Sequence, residues 1–313
     1  MKSRYLITGG TGLLGNAFQN IEKPLGEWIF LSSKDCDLRN EQETKKLFND
    51  IKPDYVFHLA AKVGGLKANM NYMADFYIDN IRINNNVLDA AKEVKVKKLV
   101  SVLSTCIFPT NVSYPLTEDQ LHNGLPHESN QGYAYAKRMI HIQSLSYRRQ
   151  YNCNFICAII NNLFGENDNF DLNDSHVLPA IIRKIYEAKL NNQNEVSFWG
   201  DGSPKREFTY TKDIAKALVF LLQNYNEPEP INIGNTKEYK IKEVVKIVKK
   251  IIDYKGKIIW DETMSNGQLK KPSCNKKFLY LGWKKENYTD FEEGLRNTIE
   301  WFKSNYPNNI RGV

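Results

Sequence analysis

Arg4-Tyr5-Leu6-Ile7-Thr8-Gly9-Gly10-Thr11-Gly12-Leu13-Leu14-Gly15 decides the fold. A short apolar run leads into clustered glycines, and Leu13 to Ile21 then reads as a helix. Strand, glycine turn and helix together open a nucleotide-binding α/β sheet. Gly10, Gly12 and Gly15 meet the G-x-G-x-x-G spacing, and Gly9, Gly12 and Gly15 meet the related G-x-x-G-x-x-G. Glycines there permit a tight turn and close approach of a pyrophosphate to the amides that open a helix. The spacing is weak by itself and gains its weight from lying between a strand and a helix.

Working outward, a second strand from Trp28 to Leu31 ends in Ser32-Ser33-Lys34. NAD-selective sites place a carboxylate about 20 residues past the glycines to hold the ribose 2'-hydroxyl. Here two hydroxyls and a cation stand instead, which suits a 2'-phosphate and predicts NADPH. Asp37-Leu38-Arg39 follows, and Asn40 with Glu43 offers a capping box for the next helix. Tyr55 to Ala61 reads as a buried strand whose small end, Leu59-Ala60-Ala61, fits close passage of a cofactor. His58 within it reads as a core histidine with its hydrogen bonds satisfied. Val63-Gly64-Gly65-Leu66 is a loop, and Asn71 to Lys92 reads as one long helix that invites pairing between subunits.

The strand Lys98 to Leu103 delivers Ser104-Thr105-Cys106 to its carboxyl end, where open parallel sheets bind ligands. A loop rich in Pro, Thr, His and Asn then leads to Tyr133-Ala134-Tyr135-Ala136-Lys137. Residues four apart on a helix share a face, so the Tyr133 phenol and the Lys137 ammonium enter one site. A phenol has an ordinary pKa of about 10, and a fixed cation beside it favours the phenolate, making Tyr133 a candidate general acid. Taken alone, such a pair is more often a packed ring and a solvated charge.

Alternation of strand and helix to about residue 165 predicts a doubly wound parallel sheet. Beyond the strand Phe155 to Ile160 the pattern turns irregular, with a loop from Phe164 to Phe170 and a helix opened by Ser175-His176-Val177-Leu178-Pro179. Asp213 to Gln223 and Ile231 to Ile233 read as a helix and strand returning to the sheet. The expected division is 1–165 with 212–235 as a cofactor domain, and 166–211 with 236–313 as a smaller, discontinuous α/β substrate domain.

The 313 residues carry a formal net charge of +7, with 42% hydrophobic and 25% charged residues. No apolar run is long enough to span a bilayer, and no secretory signal precedes Gly9, so a cytoplasmic protein is expected. Much of the basic excess is Lys interleaved on surface helices from Lys240 to Lys257, without the motifs of a nucleic-acid module. The five cysteines, Cys36, Cys106, Cys153, Cys157 and Cys274, are odd in number and scattered, which argues against a disulfide framework. Cys153 and Cys157 lack partners at zinc spacing, and no metal site is expected.

With the glycine turn, Ser104, and Tyr133 with Lys137 in one chain, the sequence resembles the extended short-chain dehydrogenase/reductase family, whose fold is a Rossmann sheet. More narrowly it resembles the GDP-L-fucose synthase branch, the GDP-4-keto-6-deoxymannose 3,5-epimerase/4-reductases. The stretches that carry this are Ser32 to Asp35, Leu59 to Leu66, Leu103 to Pro109, Tyr133 to Ile140, Asp168-Asn169-Phe170, Ser175 to Pro179 and Trp199 to Pro204. The resemblance implies Ser104, Tyr133 and Lys137 as the reductase triad, with Cys106 and His176 as base and acid for epimerisation. It implies a cofactor lined by Gly9, Gly12, Leu13, Leu14 and Gly15, by Ser32, Ser33, Lys34, Asp37 and Leu38, and by Leu59, Ala60, Ala61 and His176. It places the GDP-sugar against Ser104, Thr105, Cys106 and Asn162, and its nucleotide end against Lys184, Trp199, Arg206 and Lys271. A homodimer is also implied.

One departure stands out. Where the family commonly has Pro-Thr-Asn, this chain has Ile160-Asn161-Asn162. The rival readings are a GDP-4-keto-6-deoxyheptose reductase with little epimerase activity, a UDP-sugar 4-epimerase retaining NAD, and an NADPH-binding protein without turnover.

Overall fold

In the computed structural model, which describes residues 2–264 and 268–313, β1 (Arg4–Thr8) ends at the glycine turn and α1 (Leu13–Gln19) leaves it. Gly9 holds φ at +70°, and a Cβ on Gly15 would lie 2.4 Å from the Gly9 carbonyl oxygen. Both positions therefore exclude any side chain. Next come β2 (Glu27–Leu31), α2 (Glu41–Ile51), β3 (Tyr55–His58), α3 (Leu66–Asn71), α4 (Met73–Glu93), β4 (Lys98–Ser104), α5 (Gln131–Tyr151) and β5 (Phe155–Ile160). They are followed by β6 (Asn162–Phe164), α6 (Val177–Leu190), β7 (Glu195–Trp199), β8 (Lys205–Tyr210), α7 (Thr211–Asn224) and β9 (Ile231–Ile233). The last elements are β10 (Glu238–Lys240), α8 (Ile241–Ile252), β11 (Lys257–Asp261), α9 (Lys276–Tyr280) and α10 (Phe291–Asn305).

Six strands pair in parallel in the order β2-β1-β3-β4-β5-β9. One face is covered by α1 and α7, which bury Phe18, Ile214 and Leu218 against Phe57, Val100 and Ile156. On the other face Phe48 of α2 and Val87 and Leu88 of α4 pack on Leu6, Leu99 and Phe155. Each such fully buried aliphatic or aromatic side chain contributes roughly 1.5–3 kcal/mol. Helices on both faces make this the doubly wound sheet expected from the alternation. The chain reverses its winding between β1 and β3, and the carboxyl ends on either side of such a switch point are where ligands bind.

Several local expectations need correction. The long helix expected from about Asn71 to Lys92 is α4, and the short helix α3 precedes it, the two separated at Tyr72 with φ −125° and ψ 38°. Gly132 of α5 lies directly on Met73, where a Cβ would meet the Met73 carbonyl oxygen at 2.5 Å. Asn40 caps α2, its Oδ1 accepting from the amides of Gln42 and Glu43 at 3.0 and 3.2 Å. Glu43 does not complete the reciprocal box, because its carboxylate accepts instead from the Asp37 amide at 3.3 Å and from Asn40 Nδ2 at 2.9 Å.

Past residue 160 the chain is more ordered than its pattern suggested. Three-residue strands such as β6 and β10 carry no readable period, yet both flank β8, and β7 pairs with β11. A second core of Phe164, Phe170, Phe208, Phe291 and Phe302 lies between these strands and α6, α8 and α10. Phe278 and Trp283 pack instead with α7 in the core of the large sheet.

Candidate active site

The cofactor side is built on β1 and β3. A Cβ on Gly9 would lie 3.0 Å from the Ala60 backbone, so the glycine turn rests on the end of β3. Thr8 Oγ1 accepts from the amides of Leu59 and Ala60 at 3.1 and 3.2 Å and lies 3.0 Å from His58 Nδ1. His58 Nε2 lies 3.1 Å from Asn84 Oδ1, and Asn84 Nδ2 donates to the Ala136 carbonyl at 3.1 Å. These partners fix the tautomer: Nε2 carries the proton and Nδ1 accepts from the Thr8 hydroxyl. Burial first, then the Lys137 charge, lowers the His58 pKa to about 3. His58 is a neutral core residue that ties the glycine turn to α5.

At the end of β2 the expected trio is divided. Ser32 Oγ donates to Asp35 Oδ2 at 2.6 Å, and the Ser32 amide donates to the same oxygen at 2.8 Å. A carboxylate three residues on is a stronger acceptor than solvent and closes the turn, so only Ser33 and Lys34 stand exposed. Asp37 grips Arg39, with Nε to Oδ1 at 2.9 Å and Nη2 to Oδ2 at 2.8 Å, and this pairing holds the Asp37 pKa down. The side chains of Leu14 and Leu38 turn into the core, while Leu13, Leu59, Ala60 and Ala61 are half-buried at the sheet edge.

On the reaction side, β4 ends in Ser104, and the turn Thr105–Ile107 carries Cys106. Across from it α5 presents Tyr133, whose ring meets the Phe76 ring edge-on at 6.5 Å. Lys137 Nζ donates to the Val102 carbonyl at 2.9 Å. Burial drives the Tyr133 pKa up, with Cys106 adding to the rise, and lowers Lys137 to about 8. This is opposite in sense to the fall expected from Lys137: loss of water around the hydroxyl, then Cys106, set the direction, and the Lys137 ammonium gives one of its three donors to Val102. Burial also raises Cys106, opposed by Lys271, by a hydrogen bond with Ser104 and by Lys137. The structure thus brings Ser104, Cys106, Tyr133, Lys137 and Lys271 together.

Thr105, Cys106, His127, Gln268 and Lys271 line a small cavity beside this cluster. Arg206 on β8 stands close enough to Lys271 to depress its pKa beyond the effect of burial. Lys184 and Trp199 lie apart from that cavity. Lys184 Nζ is 3.4 Å from the Ser197 carbonyl and 5.5 Å over the Phe198 ring, on a groove between α6 and β7. Trp199 is 60% exposed at the end of β7. Asn162 is exposed and donates through Nδ2 to the Glu207 carbonyl at 2.8 Å. His176 occupies the N-cap position of α6 without a capping hydrogen bond from its side chain, and the Gly65 amide holds the turn before it through the Asp174 carbonyl at 2.7 Å. Surrounding protein lowers the His176 pKa although the residue remains open to water, a combination found in clefts. Among the described residues no hydrogen bond links His176 to Cys106.

Two features escaped the sequence reading. Arg138, next to Lys137, is buried and donates from Nε to the Ile107 carbonyl at 3.1 Å and from Nη1 to the Gly124 carbonyl at 2.8 Å. Glu207 lies buried beside Arg206, and its Oε1 accepts from the Ser273 amide at 2.8 Å. Its Oε2 accepts from Ser273 Oγ at 2.6 Å and from Asn161 Nδ2 at 3.2 Å. The departure at Asn161 was the only available signal for this network.

A glycine turn at the switch point, with Ser104, Tyr133 and Lys137 gathered at the end of β4, defines a short-chain-type dehydrogenase/reductase. The chain belongs to the NAD dependent epimerase/dehydratase family, whose model matches residues 5–234. It is 42% identical over 311 residues to a GDP-L-fucose synthase of Dictyostelium discoideum, covering 97% of both chains. Its structure is similar to a GDP-L-fucose synthetase of Naegleria fowleri bound to NADP, with TM-score 0.92 and 40% identity over 99% of this chain and 95% of the other. It also resembles a GDP-D-glycero-L-gluco-heptose synthase of Campylobacter jejuni in the presence of NADPH, with TM-score 0.88 and 31% identity over 96% and 98% of the two chains.

Proposed function

We propose that this chain reduces the C4 ketone of a GDP-4-keto-6-deoxy sugar with NADPH, after epimerising C3 and C5 in the same site. The observation that carries the reading is the convergence of Cys106 with Ser104, Tyr133 and Lys137, because reduction alone needs no thiol there. Full-length similarity to GDP-L-fucose synthases supports it. The glycine turn fits the cofactor: where a side chain on Gly12 would stand, only the Gly9 carbonyl is near, at 3.3 Å, and the rest is open space. Ser33 and Lys34 would hold a 2'-phosphate. Bound NADPH supplies the hydride for C4.

The C4 ketone acidifies the hydrogens at C3 and C5. Cys106, as the thiolate that Lys271, Ser104 and Lys137 favour against burial, removes one and becomes the thiol, and His176, protonated against the lowering of its pKa, returns a proton to the opposite face, inverting the centre. Ser104 and Tyr133 donate to the C4 oxygen and stabilise the enolate. In the reduction Tyr133 gives its proton to that oxygen, and the phenol raised by burial is the form that holds one. Lys137 fixes the charge beneath the site. Arg206 and Lys271 face the phosphates.

We further read residues 1–165 with 212–235 as the cofactor domain and 166–211 with 236–313 as the sugar domain. Exposed Met70, Tyr72, Met73, Tyr77, Met139 and Ile142 on α3, α4 and α5 support a homodimer through these helices. No described helix is long and apolar enough to cross a membrane, and the reading places the enzyme in the cytoplasm. Similarity to the heptose synthase supports a second reading, reduction of a GDP-4-keto-6-deoxyheptose. Turnover of GDP-4-keto-6-deoxymannose with NADPH in deuterated water separates the two. Deuterium at C3 and C5 of an L-galacto product is expected. A rhamno product without deuterium at those carbons defeats the epimerase half.

A further inference from the structure

Lys271 reaches the reaction site on a segment with no helix or strand of its own. That segment is held on both sides by hydrogen bonds. On one side the Leu116 amide donates to the Pro272 carbonyl at 2.8 Å and the Cys274 amide donates to the Leu116 carbonyl at 2.9 Å. Asn232 Nδ2 donates to the carbonyls of Leu116 and Cys274 at 3.0 and 3.1 Å, and Asn275 Nδ2 to that of Gly234 at 2.7 Å. On the other side the hold is Glu207, gripping both the amide and the hydroxyl of Ser273. Asn161 orients the carboxylate while accepting from Thr209 Oγ1 at 2.7 Å and donating to the Asn235 carbonyl at 2.8 Å.

We propose that Glu207, oriented by Asn161 and acting through Ser273, is a positioning residue that holds the Lys271 ammonium against Cys106 and so sets the reactivity of that thiol. Burying a carboxylate this deeply costs stability unless its lone pairs are satisfied, and here both oxygens accept. Burial first, and then Glu238 opposite it in the β8–β10 register, push the Glu207 pKa up to about 7, opposed by the hydrogen bonds from Ser273 and Asn161. A purely structural tie between two loops needs no charge. By gripping Ser273, two residues after Lys271, Glu207 fixes the segment without pairing with Lys271, because its oxygens are taken by Ser273 and Asn161. The other groups near Cys106 are Ser104, Tyr133, Lys137 and Arg138 on β4 and α5, with His127 and Gln268 sharing its cavity; none of them hydrogen-bonds to Glu207, Asn161 or Ser273 among the described residues.

This deepens the epimerisation half of the function proposed above and rests on it only for its consequence in turnover, so the test uses no sugar. Iodoacetamide alkylation of Cys106 is followed by peptide mass spectrometry in the wild type, Lys271→Ala, Glu207→Gln and the double variant. Only the thiolate reacts, so the rate reports the charge beside it. Lys271→Ala is expected to slow Cys106 alkylation roughly tenfold near neutral pH. Glu207→Gln slows it similarly, and the double variant is no slower than Lys271→Ala. The sign discriminates: acting directly through its field, loss of a negative charge would speed the reaction. An unchanged or faster rate in Glu207→Gln, or an unchanged rate in Lys271→Ala, overturns the proposal. Cys157, 1% exposed, is the control for folding. Should it become reactive in Glu207→Gln, Ser273→Ala, which keeps the Ser273 amide bond to Glu207, decides by the same signs.

Discussion

Lys137 Nζ donates to the Val102 carbonyl across 2.9 Å, joining the helix that carries Tyr133 to the strand that delivers Ser104. The ammonium is thereby fixed one helical turn from the phenol, with one of its three donors given to the backbone. Burial holds the phenol protonated, so in the proposed reduction its acidity must be supplied when negative charge develops on the C4 oxygen.

Tyr133→Phe tests that assignment. The ring, its contact with Phe76 and the packing of α5 are kept, and only the donor is lost. Reduction is expected to fall by roughly 10²–10⁴-fold, with NADPH affinity nearly unchanged by fluorescence titration. Wild-type turnover in this variant would remove Tyr133 from the acid's role.

The pH profile follows from Lys137. Its pKa is lowered by burial to about 8, so the charged form is complete below that value and is lost as pH rises through it. The kcat/KM for NADPH oxidation, which reports the free enzyme, is expected to decline on the alkaline side with a midpoint near pH 8. An ordinary lysine would leave the rate flat until much higher pH, and a profile flat through pH 8 would exclude a lowered Lys137 as the group that limits the rate there.

Cys106→Ser separates the two halves of the reaction. Ser keeps the size of the side chain and gives up a thiolate for a hydroxyl that does not ionise in this range. Deuterium incorporation at C3 and C5 is expected to disappear while C4 reduction of an already epimerised substrate continues, both read by NMR. Full exchange in this variant would exclude Cys106 as the base.

Gly15→Ala probes the turn. The new methyl would stand 2.4 Å from the Gly9 carbonyl oxygen and 2.5 Å from Gly10, contacts with backbone that has no room to retreat. Destabilisation of about 1–3 kcal/mol or more is expected, visible as a lower Tm, with loss of NADPH binding. Wild-type Tm and affinity together would mean that the turn is looser than its geometry states.

The large sheet was legible because its signals are local: the glycines from Gly9 to Gly15, the apolar runs of β3 and β4, and the one-turn spacing of Tyr133 and Lys137 each lie within a few residues. The sense of the Tyr133 shift was not, since desolvation depends on what packs around the hydroxyl and no spacing records that. Ser32 failed for a related reason, with Asp35 claiming its hydroxyl three residues on. Glu207 was invisible because its partners, Asn161 and Ser273, come from segments 46 and 66 residues away. Short strands such as β6 and β10 offer too few residues for a period to register.

Arg138 has a consequence for how such a protein can change. Its guanidinium binds the carbonyls of Ile107 and Gly124, so the long excursion between β4 and α5 is stitched at its base to the helix that carries the reductive chemistry. Within it Leu116 and Leu121 are buried, and Leu116 also holds the Lys271 segment, so these are fixed points. Only the exposed positions between them, such as Thr110, Asn111, Ser113 and Asp119, form a replaceable sleeve: rewriting those alters what is admitted while the stitches that hold Ser104 and Tyr133 in register stay in place.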